Sequence, residues 1–435
     1  MTPENQTDAA AALPKTTAPV WALLLLTGIY ICGFIDRIIM QVLVEPVKAE
    51  FHLTDVQIGV LTGLAFAVLN VGLGLLVARL AERRRRMTLI TIGAVLWSIA
   101  TAACGLVNNF AQLVLARISV GVGEAVGLPS SSSIISDYFP KEKRTTAMSV
   151  LFLAPPIGAF IGFVVGGMIA QEYGWRATFW VAAIPGIILA IAATLTIREP
   201  QRGRFDELGD QINEVPSFAA VFRRMWERHS LRHILAGSVV ASMVGFGVNA
   251  FLAAFLMRRF GFSLAEAGLT SGFIGALPAS VSVYAAGWLA DRIGRRDARS
   301  YGFIPGISLL LSAPLYILAV TRTNPVHAVV LLGVATLFMY TYLGPTQGVF
   351  QNMMHPRMRV TSFAFNSMLY SLIGNSLGPL IVGALSDHFA PHAATSGTGA
   401  GLMIALALIA VGYIWAAVHY LLATRSLRQE WSLSI

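Results

Sequence analysis

The sequence predicts an all-α polytopic membrane protein whose twelve transmembrane helices form two pseudo-symmetric six-helix bundles, and three observations predict it. Only 12% of the 435 residues are charged and 56% are hydrophobic, with a mean hydropathy of +0.68; a soluble globular chain carries roughly a quarter charged residues. The apolar residues are gathered into stretches of roughly twenty or more, enough to cross a hydrocarbon core about 30 Å thick. The longest polar stretch, Arg198 to Arg228, divides these stretches six and six. Runs this long are helical, because barrel strands alternate over about ten residues and nothing else satisfies backbone groups in lipid. A soluble enzyme is thereby excluded. A net charge of +9 would suggest nucleic-acid binding in a soluble protein. Here the basic residues sit in short turns between apolar stretches, where they report orientation, so no nucleic-acid partner is expected.

The elements follow in order. Residues 1–17 form a short tail, and with no small-residue cleavage site after the first apolar run the first span stays uncleaved. An N-terminal bundle over 18–197 holds spans at 18–44, 54–78, 87–107, 109–133, 146–170 and 175–197. A loop over 198–231 follows, in which Val215 to Leu231 places Phe218, Phe222, Met225 and Trp226 at helical spacing among arginines, as a helix lying on the membrane surface does. A C-terminal bundle over 232–424 holds spans at 232–257, 265–289, 300–320, 326–350, 358–384 and 399–424, and 425–435 is a second tail. Arginine and lysine concentrate on one side: Arg79, Arg83 to Arg86, Lys141, Lys143, Arg144, the central loop, Arg292, Arg295, Arg296, Arg299, Arg357, Arg359, Arg425 and Arg428. The other side has only Lys48, Arg176, Arg258, Arg259 and Arg322. Both termini are therefore expected in the cytoplasm, with the chain in the inner (plasma) membrane. Cys32 and Cys104 fall within apolar stretches, so no disulfide or metal framework is implied.

An internal repeat supports the division. GWLADRIGRR, Gly287 to Arg296, follows the eighth span, and the degenerate ARLAERRRR, Ala78 to Arg86, follows the second, half a chain earlier. Glu82 matches Asp291 and Arg83 matches Arg292. Two parallel halves with a midplane site between them are the architecture of many secondary transporters. The Gly-x-x-Ala-Asp-Arg-x-Gly-Arg-Arg pattern resembles the signature loop of the major facilitator superfamily, and RISVGVGEA, Arg117 to Ala125, resembles its fourth-helix motif. FIDR at Phe34 to Arg37, PSSSSIISDYFP at Pro129 to Pro140, GWR at Gly174 to Arg176 with Phe179, and REP at Arg198 to Pro200 resemble the spinster branch, which includes sphingosine-1-phosphate and lysophospholipid transporters. That finer likeness is concentrated in the N-terminal half. Glu82 replaces the usual Asp, and Arg84 stands near the expected glycine.

Ionisable groups at membrane depth cost roughly 2.5 to 3.5 kcal/mol each on insertion scales, so each needs a reason. Four stand out: Asp36, Arg37, Arg117 and Glu124. Asp36 and Arg117 lie at similar depth in the first and fourth spans, where a carboxylate and a guanidinium can neutralise each other. Glu124 lies two turns further along nearly the same face as Arg117. Protonation of Asp36 or Glu124 is then linked to what Arg117 holds, with Arg117 as the substrate-anion site; the bland alternative is a permanent structural lock. Arg37, rotated about 100° from Asp36, either contacts substrate or snorkels outward. Asp291, taken to end the eighth helix near the start of the ninth, is favoured by exposed backbone N–H groups, and Arg292, Arg295 and Arg296 can pair across the same face. The superfamily resemblance implies a cytoplasmic gate at Gly287, Asp291, Arg292, Gly294, Arg295 and Arg296, and at Glu82 and Arg83. Plain positive-inside anchoring suffices for Arg84 to Arg86. Gly121, Gly123, Gly158, Gly162 and Gly166 read mainly as helix-packing residues.

The C-terminal half has no charged residue in mid-span; its candidate substrate contacts are Phe246, Asn249, Tyr284, Tyr340, Asn366 and Tyr370, with Tyr342 beside them. Charge on one wall and aromatic surface on the other suit an amphipathic substrate. The expected function is proton-coupled transport of a lipid-like molecule, of the lysophospholipid or sphingoid phosphate class that the resemblance implies, by rocking of the two bundles. The expected partners are that substrate, protons and membrane lipids, and the expected state is a monomer. No cofactor is expected, and no G-x-x-x-x-G-K-[ST] sequence is present for ATP. Drug efflux or small organic anion transport stands as the alternative, and a passive scramblase or a receptor ranks behind it. A membrane hydrolase lacks a nucleophile and base or metal spacing, His419 being the only histidine well inside a predicted span.

Overall fold

A computed structural model describes residues 19–67, 84–201, 217–354, 358–391 and 399–432. Within them the regular structure is entirely helical. Among the described residues ten helices are long and apolar enough to cross a membrane. The two further spans that the sequence predicts are also present. The second is described over Asp55–Ala67, and the fourth is broken into Phe110–Glu124 and Gly127–Tyr138. The protein is a multi-pass membrane protein. The described chain ends, Pro19 and Ser432, lie on one face, called here the terminal face; the opposite face is the distal one.

Local chemistry sets the span starts. Thr54 and Ser263 open the second and eighth spans with capping boxes, their side chains accepting from the backbone N–H of Gln57 and Glu266 while those residues reach back. The same device at matching positions of the two halves is the repeat expressed in structure. Several helices outrun the apolar stretch that announces them. The eighth span continues to Gly294 and the twelfth to Ser432, so residues 425–432, expected as tail, extend the last helix. Hydropathy measures only the hydrocarbon-crossing part of a helix, and these extensions stand beyond it. The loop helix is Phe218–Glu227, capped by Ser217, with Val221 and Met225 buried and Phe222 and Trp226 exposed.

Each bundle packs mainly on itself: the first span against the fifth and sixth, the third against the fourth and sixth, the seventh against the eleventh and twelfth, and the ninth against the tenth and twelfth. One apolar core, with Trp97, Phe66 and Ile134, is confined to the first bundle. The other fills the second bundle and crosses to Ile39, Val42, Ile58, Leu61 and Phe163 of the first. That crossing follows two seams, second span on eleventh and fifth on eighth. A Cβ at Gly59 would lie 2.6 Å from the Pro379 carbonyl oxygen and one at Gly268 2.3 Å from that of Phe163. One at Gly383 would lie 2.2 Å from the Asp55 oxygen and one at Gly167 2.6 Å from that of Leu264. No side chain fits there; lipid gives helices no hydrophobic drive to associate, and small residues supply close backbone packing instead. The second span corresponds to the eighth and the eleventh to the fifth, so the two seams are one contact made twice. In backbone they differ: the 2–11 seam carries two π-helical turns, Val60–Leu64 and Tyr370–Asn375.

Candidate functional site

The four charged residues singled out at membrane depth do come together, with a pairing different from the expected one. Arg117 is 0% exposed and its Nη1 donates to the backbone carbonyl oxygen of Asp36 at 2.9 Å, not to the carboxylate. Asp36 is 1% exposed, and neither of its carboxyl oxygens has a hydrogen-bond partner among the described residues. The Nε and Nη2 of Arg117 are likewise unused. Glu124 is bound instead by Arg37, whose Nη2 donates to it at 2.9 Å while the guanidinium lies over the Phe66 ring at 4.2 Å and the Phe34 ring at 4.9 Å. Arg37 therefore does not snorkel outward; a buried carboxylate and two ring faces hold it inside. Glu124 is the last residue of its helix before the fourth span breaks, and Gly121 lets the carbonyl of Phe66 approach to within 2.5 Å of where a Cβ would stand.

The tenth span, counterpart of the fourth, is broken at the matching place, between Pro325–Met339 and Leu343–Met353. Paired interruptions of this kind free backbone groups at mid-depth and mark transporter binding sites. Around the second break the Asn249 amide donates to the Tyr340 hydroxyl at 2.7 Å, and the Tyr342 and Tyr370 rings meet edge-on at 6.4 Å. Asn366 is buried in the eleventh span one turn before Tyr370, and the Phe246 ring lies against Gly374. Tyr284 stands apart, 77% exposed, on the same helix face as Trp288 and Arg292, where the guanidinium lies 5.2 Å over the indole.

The distal face holds a constellation the sequence was not seen to carry. Arg258, at the end of the seventh span, binds Glu45 and Asp55 of the first bundle, 2.7 Å to each. Asp55 also accepts from Lys48 and from the Ser386 hydroxyl. Asp387 of the eleventh span takes the backbone N–H groups of Asp55 and Val56 at 2.9 and 2.8 Å, capping the second span from the other bundle. At the other seam the Gln171 side-chain oxygen takes the N–H of Ala265 at 3.0 Å and caps the eighth span. Lys48 and Arg258 entered the sequence reading only as orientation markers. The signal available was four acidic or basic residues within Glu45 to Asp55, more than a short loop needs.

A family model described as Major Facilitator Superfamily matches residues 25–379. The chain belongs to the major facilitator superfamily. This superfamily's members are transporters, not enzymes. An MFS-type efflux pump of Mycolicibacterium smegmatis is 28% identical over 398 residues, covering 92% of this chain and 91% of the pump. The sphingosine-1-phosphate transporter SPNS2 of Danio rerio is 23% identical over 424 residues, covering 93% of this chain and 83% of the relative. A crystal structure of a bacterial homologue of the human lysosomal transporter Spinster, inward-facing and unoccupied, superposes with a TM-score of 0.88 at 28% identity, covering 95% of this chain and 98% of that one. The occupied inward-facing form gives 0.86.

The superfamily signature loop is placed more fully than the sequence allowed. Asp291 does not cap the ninth helix; the eighth helix runs past it to Gly294, and its carboxylate accepts from the Tyr301 hydroxyl at 2.6 Å. The Tyr301 ring packs where a Cβ at Gly294 would be, 2.6 Å away, and stacks on Trp431 with centroids 5.0 Å apart. Glycine is required there by that ring. Gly287 abuts the tenth span at Gly344, and Arg295 and Arg296 are exposed. Glu82 and Arg83 lie outside the described residues. Arg86, assigned to plain anchoring, is instead buried: it donates to Asp137 at 2.5 Å, Ser133 at 2.8 Å, Glu199 at 3.0 Å and the Pro200 carbonyl at 3.3 Å. It ties the third, fourth and sixth spans together, and the REP stretch supplies two of the partners.

Proposed function

We propose that this chain is a proton-coupled secondary transporter of an amphipathic anionic molecule of the lysophospholipid or sphingoid phosphate class. In this proposal it works by alternating access in the inner membrane, with the terminal face in the cytoplasm. One observation carries it: a fully buried acid without a donor stands beside a fully buried guanidinium with donors to spare. An ionised carboxylate in that position would have no hydrogen bond to offset its burial, whereas the neutral acid costs far less to bury. Asp36 is thus suited to hold a proton while Arg117 offers Nε and Nη2 to an anionic head group. Loss of that proton makes Asp36 compete with the head group for Arg117, so proton release and substrate release are linked. Arg37 and Glu124 neutralise each other next to this pair and form a second place where a proton can change the balance. The uncharged amide and phenol groups around Tyr340 suit the rest of an amphipathic molecule. The joined distal seams, together with the likeness to inward-facing structures, support an inward-facing state.

The likeness to an efflux pump over 92% of the chain favours a second reading, export of drug-like molecules through the same site. Proteoliposome transport under an imposed pH gradient separates them, with a lysophospholipid, a short-chain organic anion and a cationic dye as substrates. The lysophospholipid should move, and Asp36→Asn and Glu124→Gln should each abolish its gradient-driven movement. Retention of wild-type gradient-driven transport by both variants overturns the coupling. Movement of the dye or the short anion without the lysophospholipid overturns the substrate class.

A further inference from the structure

On the periphery of the second bundle, away from Asp36 and Arg117, three imidazoles stack between the seventh and twelfth spans. The His229 and His233 rings lie 4.4 Å apart, those of His233 and His419 5.1 Å, and the Nδ1 atoms of His233 and His419 share a hydrogen bond of 2.8 Å. His229 Nδ1 contacts the Ser426 hydroxyl at 3.2 Å. Above this stack toward mid-membrane is Trp415, 58% exposed with its ring 6.2 Å from that of His419. Below it is Trp226 of the loop helix, 54% exposed, with the Arg232 guanidinium 5.8 Å over its ring. An apolar indole, a polar imidazole layer and an arginine therefore follow one another in the order in which a phospholipid presents acyl chain, ester groups and phosphate.

Among the described residues the charge contributed here by Arg232 faces an aromatic ring, Trp226, and no ion pair of Arg232 is formed. Two carboxylates near it among the described residues have partners of their own: Glu430 takes the backbone N–H groups of His229 and Ser230 and the Ser230 hydroxyl, and Glu227 pairs with Arg223 at 3.7 Å. In the shared Nδ1 bond one ring accepts, so that ring carries its hydrogen on Nε2 and is a donor there. We infer that the surface formed by His229, His233, His419, Arg232, Trp226 and Trp415 is a binding site for an anionic glycerophospholipid of the leaflet on the terminal face. This lipid is bound from the bilayer and is not the transported substrate. Basic residues beside an amphipathic helix attract anionic lipids at a membrane surface. The site fixes one such lipid against spans 7 and 12, next to the loop that joins the bundles.

The test uses the whole protein in detergent, titrated with phosphatidylglycerol, phosphatidylcholine or inorganic phosphate, and read by native mass spectrometry and thermal unfolding. Phosphatidylglycerol should bind and stabilise more than phosphatidylcholine. Arg232→Gln should weaken that binding about fivefold, the worth of one basic side chain at a membrane surface, and His419→Phe should weaken it further. Arg322→Gln, on the distal face, should leave it unchanged. Equal effects of the two lipids, wild-type phosphatidylglycerol affinity in Arg232→Gln, or full reproduction of the stabilisation by inorganic phosphate would each overturn the lipid site. Arg232 is partly exposed, so this variant decides the matter even if His419→Phe folds poorly.

Discussion

Two arginines of the buried cluster differ in what they hold: Arg37 has a carboxylate and Arg117 only a carbonyl. Removing one partner of a buried pair leaves an uncompensated charge and costs about 3 to 5 kcal/mol. Arg37→Ala should therefore destabilise the protein by that order, and the double variant Arg37→Ala with Glu124→Gln should recover most of it, as measured by thermal unfolding in detergent. If the double variant is as unstable as the single one, packing on Phe34 and Phe66 outweighs the charge. All four residues were legible in the sequence because ionisable groups at membrane depth are rare. Their partners were not. Counting 1.5 Å per residue orders residues along an axis but leaves the rotation of one helix against another free, and a main-chain carbonyl such as that of Asp36 has no signature in a sequence. For the same reason Tyr284 looked equivalent to Tyr340, although the first is 77% exposed and the second is hydrogen-bonded to Asn249.

At the scale of elements, the two seams depend on glycines whose missing side chains are occupied by backbone. Gly383→Ala would place a methyl group 2.2 Å from the Asp55 oxygen and should force the second and eleventh spans apart. Spin-label distances across the distal face should lengthen in this variant, while Gly275→Ala, where an added Cβ meets nothing within 4 Å, should leave them as in the wild type. Equal distances in both variants would mean that the seam yields without opening. The capping boxes at Thr54 and Ser263 have a sequence pattern, Thr-x-x-Gln and Ser-x-x-Glu, which was not among the expectations. The breaks in spans 4 and 10 were less legible, since Gly121 and Gly123 were read as packing residues and no proline stands at Ala125 or Tyr340. The π-helical turns had no sequence signal at all; a turn of that kind is fixed by what packs against it.

For the whole molecule, the division into six and six followed from hydropathy and the repeated loop, but the joining of the halves did not. Asp387 and the N–H of Asp55 are 332 positions apart, and only the folded molecule brings them together. The two caps differ in charge, which gives a direct test. A carboxylate at a helix start is worth about 0.3 to 1 kcal/mol, so Gln171→Glu should favour the closed distal face and Asp387→Asn should disfavour it. The fraction of closed molecules in spin-label distance distributions should move in opposite directions in the two variants. A shift in the same direction, or none, would mean that Arg258 with Glu45 and Asp55 sets the closed state by itself. The exchange of caps also bears on how the chain is made. Gln171 is already in place when the eighth span emerges from the ribosome, so that helix start is completed at once. At the start of the second span the Asp55 and Val56 N–H groups, beyond the reach of its own Thr54 capping box, wait for Asp387 until the eleventh has been synthesised. Assembly therefore has an order written into it, one seam closing during translation and the other only near its end.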